Sequence, residues 1–423
     1  MTLPLAFWAG LTRLSAPALR VMLRRRVVRG KEIAERLPER EAIDPTPRPV
    51  GRLIWMHAAS LGETISILPV LAILAEAPGS VLLTTGTVTS QRLLAQRLPE
   101  MGLAGRVIHR FVPLDVPGWA ARFLDHWRPD AAGFVESEIW PNLLAACARR
   151  RIPLMLVNAR LSARSLSRWK MAERTARQVL GFFNLIHPQS AHDGERFASL
   201  ARTLILPPGN LKLAAAPLPV DSSALSQLSS LIGGPAWVAA SLHRGEDELI
   251  LGIHDRLAAR HPGLLTIIVP RHPERGPEIA ALAPAATRRS LGAPPPRGGG
   301  VWIADTVGEL GLFYRLAPIA FLGGSLVRHG GQNPAEAARL GRAVAVGPHT
   351  ANFTETVALL EAGGALTRVA DAQGLGDWLD ARLKDPWGTT AMGEKGVRLL
   401  EGYASLPAEI AGHLTRLATG AEG

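Results

Sequence analysis

Short apolar runs of strand length alternate with longer helical runs along most of this chain, and a chain patterned in that way folds into parallel α/β layers. The runs at 52–60 (RLIWMHAAS), 80–87, 106–113, 131–137, 153–160 and 183–190 read as strands. Helical stretches such as ISILPVLAILAEA and PGWAARFLDHW lie between them. Near Gly209–Lys212 the pattern breaks, and AAAPLPVDSSA, 214–224, reads as a linker. A second set follows at 236–241, 264–270, 300–305, 318–325 and 342–348, with GAPPPRGGG (292–300) as a surface loop. The pattern predicts an α/β protein with two Rossmann-like domains, 31–213 and 225–395, facing a central cleft. Residues 396–423, helical in composition from Glu394 to Ala418, are expected to return towards the first domain. At 423 residues the chain exceeds one ordinary core, which agrees with two domains.

Composition narrows the function. With 47% hydrophobic and 20% charged residues, the chain is a folded body rather than a disordered one. Its one cysteine, Cys147, rules out an internal disulfide, and its apolar helical setting reads as a buried, inert thiol. The twelve histidines show no HxxxH spacing and there is no CxxC, so no metal site is expected.

The net charge of +11 is unevenly spread. Residues 1–40 carry nine Arg/Lys against three Glu, over half of the excess in under a tenth of the chain. A spanning helix needs about 20 consecutive apolar residues, and Arg13 and Arg20 interrupt this segment. Residues 1–30 are therefore expected to lie in a membrane interface, with Phe7 and Trp8 at the acyl boundary and Arg24–Arg26 on anionic headgroups. An amphipathic helix packed on its own domain is the competing explanation. Nucleic acid is not an expected partner, because no stacking aromatics interleave the basic cluster.

Several strand ends carry chemistry. Ser60 and Glu63, after the first run, have capping-box spacing. Glu63 equally protrudes where open α/β sheets bind ligands, and could accept a proton from an attacking hydroxyl. In ESEIWPN, Glu136 and Glu138 share a parity if the strand continues, which would put both carboxylates on one side. Lys212, in GNLK, could meet a carboxylate or phosphate. In the second half, Ser241, His243 and Glu246 stand at one strand end, Pro270, Arg271 and His272 at another, and Val307, Gly308 and Glu309 after a third. In FLGGSLVRHGGQNPAEA, Gly323, Gly324 and Ser325 begin a glycine-rich loop, and Asn333, Pro334, Ala335 and Glu336 open a helix. A glycine-rich turn feeding a helix N-terminus is an anion site, and a well-capped helix after an ordinary loop shows the same spacing. Together these strand ends argue for a nucleotide site in the second domain.

WMHAASLGE, ESEIWPN, NARLSARS, GNLK, PRHPE, DTVGEL, GGSLVRHGGQNPAEA and GPHTANF, in that order, resemble the bacterial 3-deoxy-D-manno-oct-2-ulosonic acid (Kdo) transferases, lipopolysaccharide enzymes of the GT-B type. The resemblance implies inverting transfer of Kdo from CMP-Kdo to a lipid A precursor such as lipid IVA, without a cofactor, at the cytoplasmic face of the inner membrane. It implies Glu63 as general base, Glu136, Glu138 and Lys212 as charge-stabilising partners, and the second-domain residues above as the CMP-Kdo site. The alternative is another GT-B enzyme, a UDP-sugar transferase or epimerase. Two departures stand out: Gln332 replaces the family's usual histidine, and Leu213 and Ala214 follow GNLK where an aromatic and an aspartate are usual. Glutamine keeps donor and acceptor groups but cannot carry a proton charge.

Overall fold

The computed structural model describes residues 3–420, so the outer ends of the expected segments 1–30 and 396–423 lie outside the described residues. The chain divides into two compact units, Met1–Ala215 with Tyr403–Gly423, and Ala216–Gly402.

The first unit is built on a parallel sheet of β1 (Leu53–Ala58), β2 (Ser80–Thr85), β3 (Val107–Phe111), β4 (Ala131–Val135), β5 (Leu154–Ala159), β6 (Leu185–Pro188) and β7 (Leu204–Ile205). Their order is β3-β2-β1-β4-β5-β6-β7. The chain winds outward from β1 to β3, then crosses back to place β4 beside β1. That reversal between β1 and β4 opens a crevice at the C-terminal ends of both strands, where open α/β sheets bind ligands.

The first crossover helix, Leu61–Glu76, is apolar on nearly every face and must be covered on both sides. The sheet covers one side. Beside it on the same sheet, Ile410, Ala411 and Leu414 of the helix Leu406–Thr419 join Ile67, Val70, Leu71 and Leu74 in one core. Each such aliphatic side chain contributes about 1.5–3 kcal/mol through burial. Gly133 in β4 permits this packing, since a Cβ there would lie 2.7 Å from Met56 Sδ and 3.3 Å from Leu414.

The second unit carries β8 (Ala236–Leu242), β9 (Leu265–Pro270), β10 (Thr287–Arg288), β11 (Gly300–Ile303), β12 (Ile319–Leu322), β13 (Ala343–Val346) and β14 (Leu366–Arg368), ordered β10-β11-β9-β8-β12-β13-β14. Its winding reverses between β8 and β12. The short edge strands β7, β10 and β14 were not expected from the sequence, because two or three residues are too few to show a periodicity.

Several boundaries differ from the sequence reading. The linker ends at Asp221, whose carboxylate caps the helix Ser222–Ser229, instead of running to 224. The second unit extends to Gly402, beyond 395, because the helix Pro386–Glu401 buries Met392, Gly393, Gly396 and Leu400. Glu394 to Ala418 is therefore not one helix: it breaks between Glu401 and Leu406, and its two parts join different units.

The N-terminal residues form two helices, Leu3–Leu14 and Ala16–Val28. Leu5 and Leu23 are buried, and Trp8 Nε1 donates to Asp115 Oδ2 at 2.9 Å. Asn142 Nδ2 donates to Thr12 Oγ1 at 3.0 Å, so one face of the first helix is docked on the body. The opposite face leaves Leu3, Phe7 and Leu14 at 88%, 73% and 82% exposure. Among the described residues no helix is long and apolar enough to cross a membrane.

Candidate active site

Three carboxylates gather at the crevice of the first unit. Ser60 ends the β1 loop and caps the helix Leu61–Glu76. Half of the capping box is formed, with the Glu63 N–H donating to Ser60 Oγ at 3.3 Å; the Glu63 carboxylate accepts from Ser60 Oγ at 2.7 Å and from the Ala59 N–H at 2.8 Å instead of the Ser60 N–H. Glu63 is nonetheless buried. Burial raises its pKa, the bonds from Ser60 and Ala59 pull it back, and the charges of Glu138 and Glu136 push it up again; the net direction is upward. The capping geometry and a base poised for protonation thus coexist in one side chain.

Glu138 is held differently. His57 Nε2 lies 3.2 Å and Trp140 Nε1 2.7 Å from its Oε2. Burial works against its ionisation, but those two donors and the His57 ring outweigh it and hold the carboxyl below its usual range. Glu136 pairs with Lys212, Nζ to Oε1 at 2.6 Å. The shared-parity expectation for these two acids fails, because β4 ends at Val135 and Glu136 takes a left-handed conformation at φ 57°. A turn, not a continuing strand, delivers both carboxylates, and each has its own partner.

The glycine-rich loop of the second unit departs further from expectation. Glu246, fully buried after β8, accepts from the N–H groups of His243 at 3.0 Å and Gly324 at 2.7 Å on one oxygen. Its other oxygen accepts from Ser325 at 3.1 Å and Leu326 at 3.0 Å. The Gly323 N–H donates to Ala240 O, and Ser325 Oγ is held between Leu322 O and the Gly347 N–H. Gly323, Gly324 and Ser325, expected to cradle a phosphate, therefore have their amides already occupied by the protein. Gly323 is required for another reason: a Cβ there would lie 2.6 Å from Ser241 O. The helix Pro334–Arg339 has only six residues, and its N-terminus already carries Glu336, bonded to Asn333 Nδ2 at 3.2 Å. Its backbone is thus a poor anion site. Pro334 and Ala335 are buried.

Cationic and imidazole side chains gather at the β8–β12 reversal instead. The His243 ring stacks on His329 at 4.3 Å, with His272 at 6.3 Å. Gln332 Nε2 lies 3.1 Å from His243 Nε2, so the amide donates and the imidazole accepts. Burial lowers the pKa of His243, and neighbouring His329, His272 and Arg271 add to that against Glu246. Arg271 and His272 are exposed beside it. Val307 and Gly308 are also exposed, while Glu309 is engaged by Arg289 at 2.7 Å and Thr306 at 2.5 Å. Ser241, at φ 58°, is buried one residue before the end of β8, and Pro270 closes β9 from a buried position. His329 and the Glu246 clamp were not singled out by sequence. His57 was missed too, although a histidine inside the apolar run RLIWMHAAS must find a partner when buried.

Residues 31–215 match the family model for 3-deoxy-D-manno-octulosonic-acid transferase (kdotransferase). A probable 3-deoxy-D-manno-octulosonic acid transferase, mitochondrial, of Arabidopsis thaliana is 37% identical over 393 residues, covering 88% of this chain and 86% of that protein. The 3-deoxy-D-manno-octulosonic acid transferase of Haemophilus influenzae is 34% identical over 412 residues, covering 93% and 94%. The chain belongs to the Kdo transferase family. In fold it is similar to the UDP-GlcNAc 2-epimerase of Neisseria meningitidis, with a TM-score of 0.57, 14% identity and coverage of 86% and 100%. That likeness extends to the two-unit GT-B architecture and no further, so the epimerase alternative draws no support from it.

Within this Kdo transferase, Gln332 does by hydrogen bonding what a neutral histidine could do. Gln332→His is expected to change CMP affinity by less than about fivefold at pH 8, the scale of one neutral hydrogen bond. Calorimetric titration with CMP at pH 8 and pH 6 checks this. A gain confined to pH 6 would show that a positive charge is what the glutamine fails to supply, because histidine titrates near 6.5.

Proposed function

We propose that this enzyme carries out inverting transfer of Kdo from CMP-Kdo to a hydroxyl of a lipid A precursor. The observation that carries the reading is the arrangement at the β1–β4 reversal, where Glu138 and Glu136 are committed to donors and Glu63 alone is raised. Glu63 takes the acceptor hydroxyl's proton as that oxygen bonds to the anomeric carbon of Kdo. The bond from that carbon to the CMP phosphate oxygen breaks, and CMP leaves with the electron pair. A single displacement of this kind inverts the anomeric centre. Arg271 offsets the phosphate charge that grows on CMP, with the imidazole group of His243, His272 and His329 beside it, and Lys212 serves the donor's own carboxylate. Mass spectrometry of the product from CMP-Kdo and a tetraacylated lipid A precursor tests this and counts the sugars added. No mass gain with CMP-Kdo, or transfer from a UDP-sugar instead, would overturn it.

The same reading places the enzyme on the cytoplasmic leaflet of the inner membrane through its N-terminal helices. Leu3, Phe7 and Leu14 form the exposed apolar ridge. Arg24 and Arg25, on the following helix, are exposed, whereas Arg26 is bound by Glu32 at 3.0 Å and Arg20 by Glu41 at 2.7 Å. Replacing Leu3, Phe7 and Leu14 by Ser is expected to weaken binding to anionic vesicles by about tenfold or more at all salt concentrations, since each buried side chain contributes about 1.5–3 kcal/mol. Replacing Arg24 and Arg25 by Gln should weaken it chiefly at low salt, by about 1 kcal/mol per charge. Vesicle co-sedimentation across a salt series separates the two. Deletion of residues 2–23 is a poorer test, because it removes Trp8 and Thr12 from Asp115 and Asn142.

A further inference from the structure

His57 is fully buried on β1, one residue before the loop that leads to Glu63, and no part of the mechanism above uses it. Its surroundings form a directed chain of hydrogen bonds. Trp55 Nε1 donates to Thr84 Oγ1 at 2.8 Å, and Thr84 Oγ1 lies 3.0 Å from His57 Nδ1. The Thr84 carbonyl oxygen is 3.1 Å from the same nitrogen. On the far side of the ring, Nε2 lies 3.2 Å from Glu138 Oε2, which also receives Trp140 Nε1 at 2.7 Å.

The geometry leaves little choice about which way the protons point. The Trp55 indole N–H occupies one lone pair of the Thr84 hydroxyl, and of the acceptors within reach of that hydroxyl Nδ1 at 3.0 Å is much nearer than Met56 O at 3.5 Å, so it donates to Nδ1. The imidazole then carries its proton on Nε2 and gives it to the carboxylate. Were Nδ1 protonated instead, it would donate to the Thr84 carbonyl. A bare Nε2 would then face a carboxylate oxygen, lone pair against lone pair, unless Nε2 were protonated as well. In each satisfied arrangement the Glu138 carboxylate receives a donor from His57. A histidine orienting a carboxylate in this way mirrors the common arrangement in which a carboxylate orients a histidine: the imidazole N–H donates in both, and the orienting and oriented roles are exchanged.

We propose that His57 is a positioning residue for Kdo transfer: by donating to Glu138 from a buried, twice-anchored ring, it fixes the orientation of that carboxylate at the crevice that Glu63 also lines. This rests on the reading of Glu63 as the general base. The charged groups that meet at this edge are Glu63, Glu136 with its partner Lys212, Glu138, and His57 itself. Of these, Glu138 is the one whose ionisation His57 controls. Its negative charge favours a proton on Glu63, and its loss or displacement would leave Glu63 ionised at lower pH but less able to take a proton from a hydroxyl.

Two substitutions and a pH profile test this. His57→Leu is expected to lower plateau kcat by about tenfold, a fraction of the 100-fold or more that a general base supplies, with little change in KM for CMP-Kdo. It should also move the acid limb of the kcat/KM profile to lower pH. His57→Gln, which can present an amide N–H to Glu138, should regain most of the lost turnover and return the acid limb towards the wild-type position. A purely structural role predicts a lower Tm with the acid limb unmoved, and that result overturns the proposal. If His57→Leu does not fold, Glu138→Gln supplies the same readout, and an unmoved acid limb there overturns it equally. Glu63→Gln is assayed alongside. If it keeps turnover, the assignment of the base has failed and this proposal with it. If it loses turnover while His57→Leu keeps both rate and profile, only the role given to His57 is wrong.

Discussion

Replacing Glu63 by Gln is expected to lower kcat by about 100-fold or more while CMP affinity stays at the wild-type value. The substitution preserves shape and keeps an amide oxygen to accept from the Ala59 N–H, so the helix Leu61–Glu76 should keep its cap. What disappears is the capacity to take a proton. Steady-state kinetics with CMP titration, beside a thermal melt, separates the two functions of this side chain. Turnover within a few fold of wild type would return Glu63 to capping alone. The pH profile adds a second signature. A base works only when ionised, and burial together with the charges of Glu138 and Glu136 raises the pKa of Glu63. The rate should therefore fall as pH is lowered, with its midpoint above the ordinary carboxyl value of about 4.3. That limb should be absent from the residual activity of the variant.

Glu246→Gln is expected to destabilise the second unit by about 3–5 kcal/mol, the scale of breaking a buried charge's interactions. The wild-type carboxylate accepts from four backbone N–H groups, and each oxygen serves two of them. An amide turns one acceptor into a donor, so two buried N–H groups lose their partner and face another N–H. The change is nearly isosteric, and packing cannot absorb it. Hydrogen exchange should show faster exchange at Gly324, Ser325 and Leu326 and across β8 and β12, with the first unit's protection unchanged. CMP binding should fall in parallel, because the loop that carries His329 and Gln332 is anchored through this clamp. Wild-type protection at those amides would mean that the loop is held by its other contacts.

The alternation of strand and helix was legible because each element is written within a few consecutive residues. So was the position of Glu63, three residues beyond a serine cap. The short edge strands were illegible for the opposite reason: β7, β10 and β14 owe their conformation to the neighbour they pair with. Glu394 to Ala418 looked continuous because composition does not register that its halves pack in different units.

The sequence by itself determined the succession of strands and helices along the chain and the identity of the acids that stand at the strand ends; the two reversals that create the crevices came from the pairing of distant strands. Local periodicity and capping are enough for that, since their partners lie within a turn or a strand. Tertiary structure alone decided what those residues can do. The glycine loop reads as an anion cradle until Glu246, 78 residues earlier than Gly324, is seen to occupy its amides. Glu138 reads as one of a matched pair until His57, 81 residues away, is found holding it ionised while Lys212 takes Glu136. Availability and charge state depend on burial and on partners brought close by parallel crossovers, and no short stretch of sequence contains either.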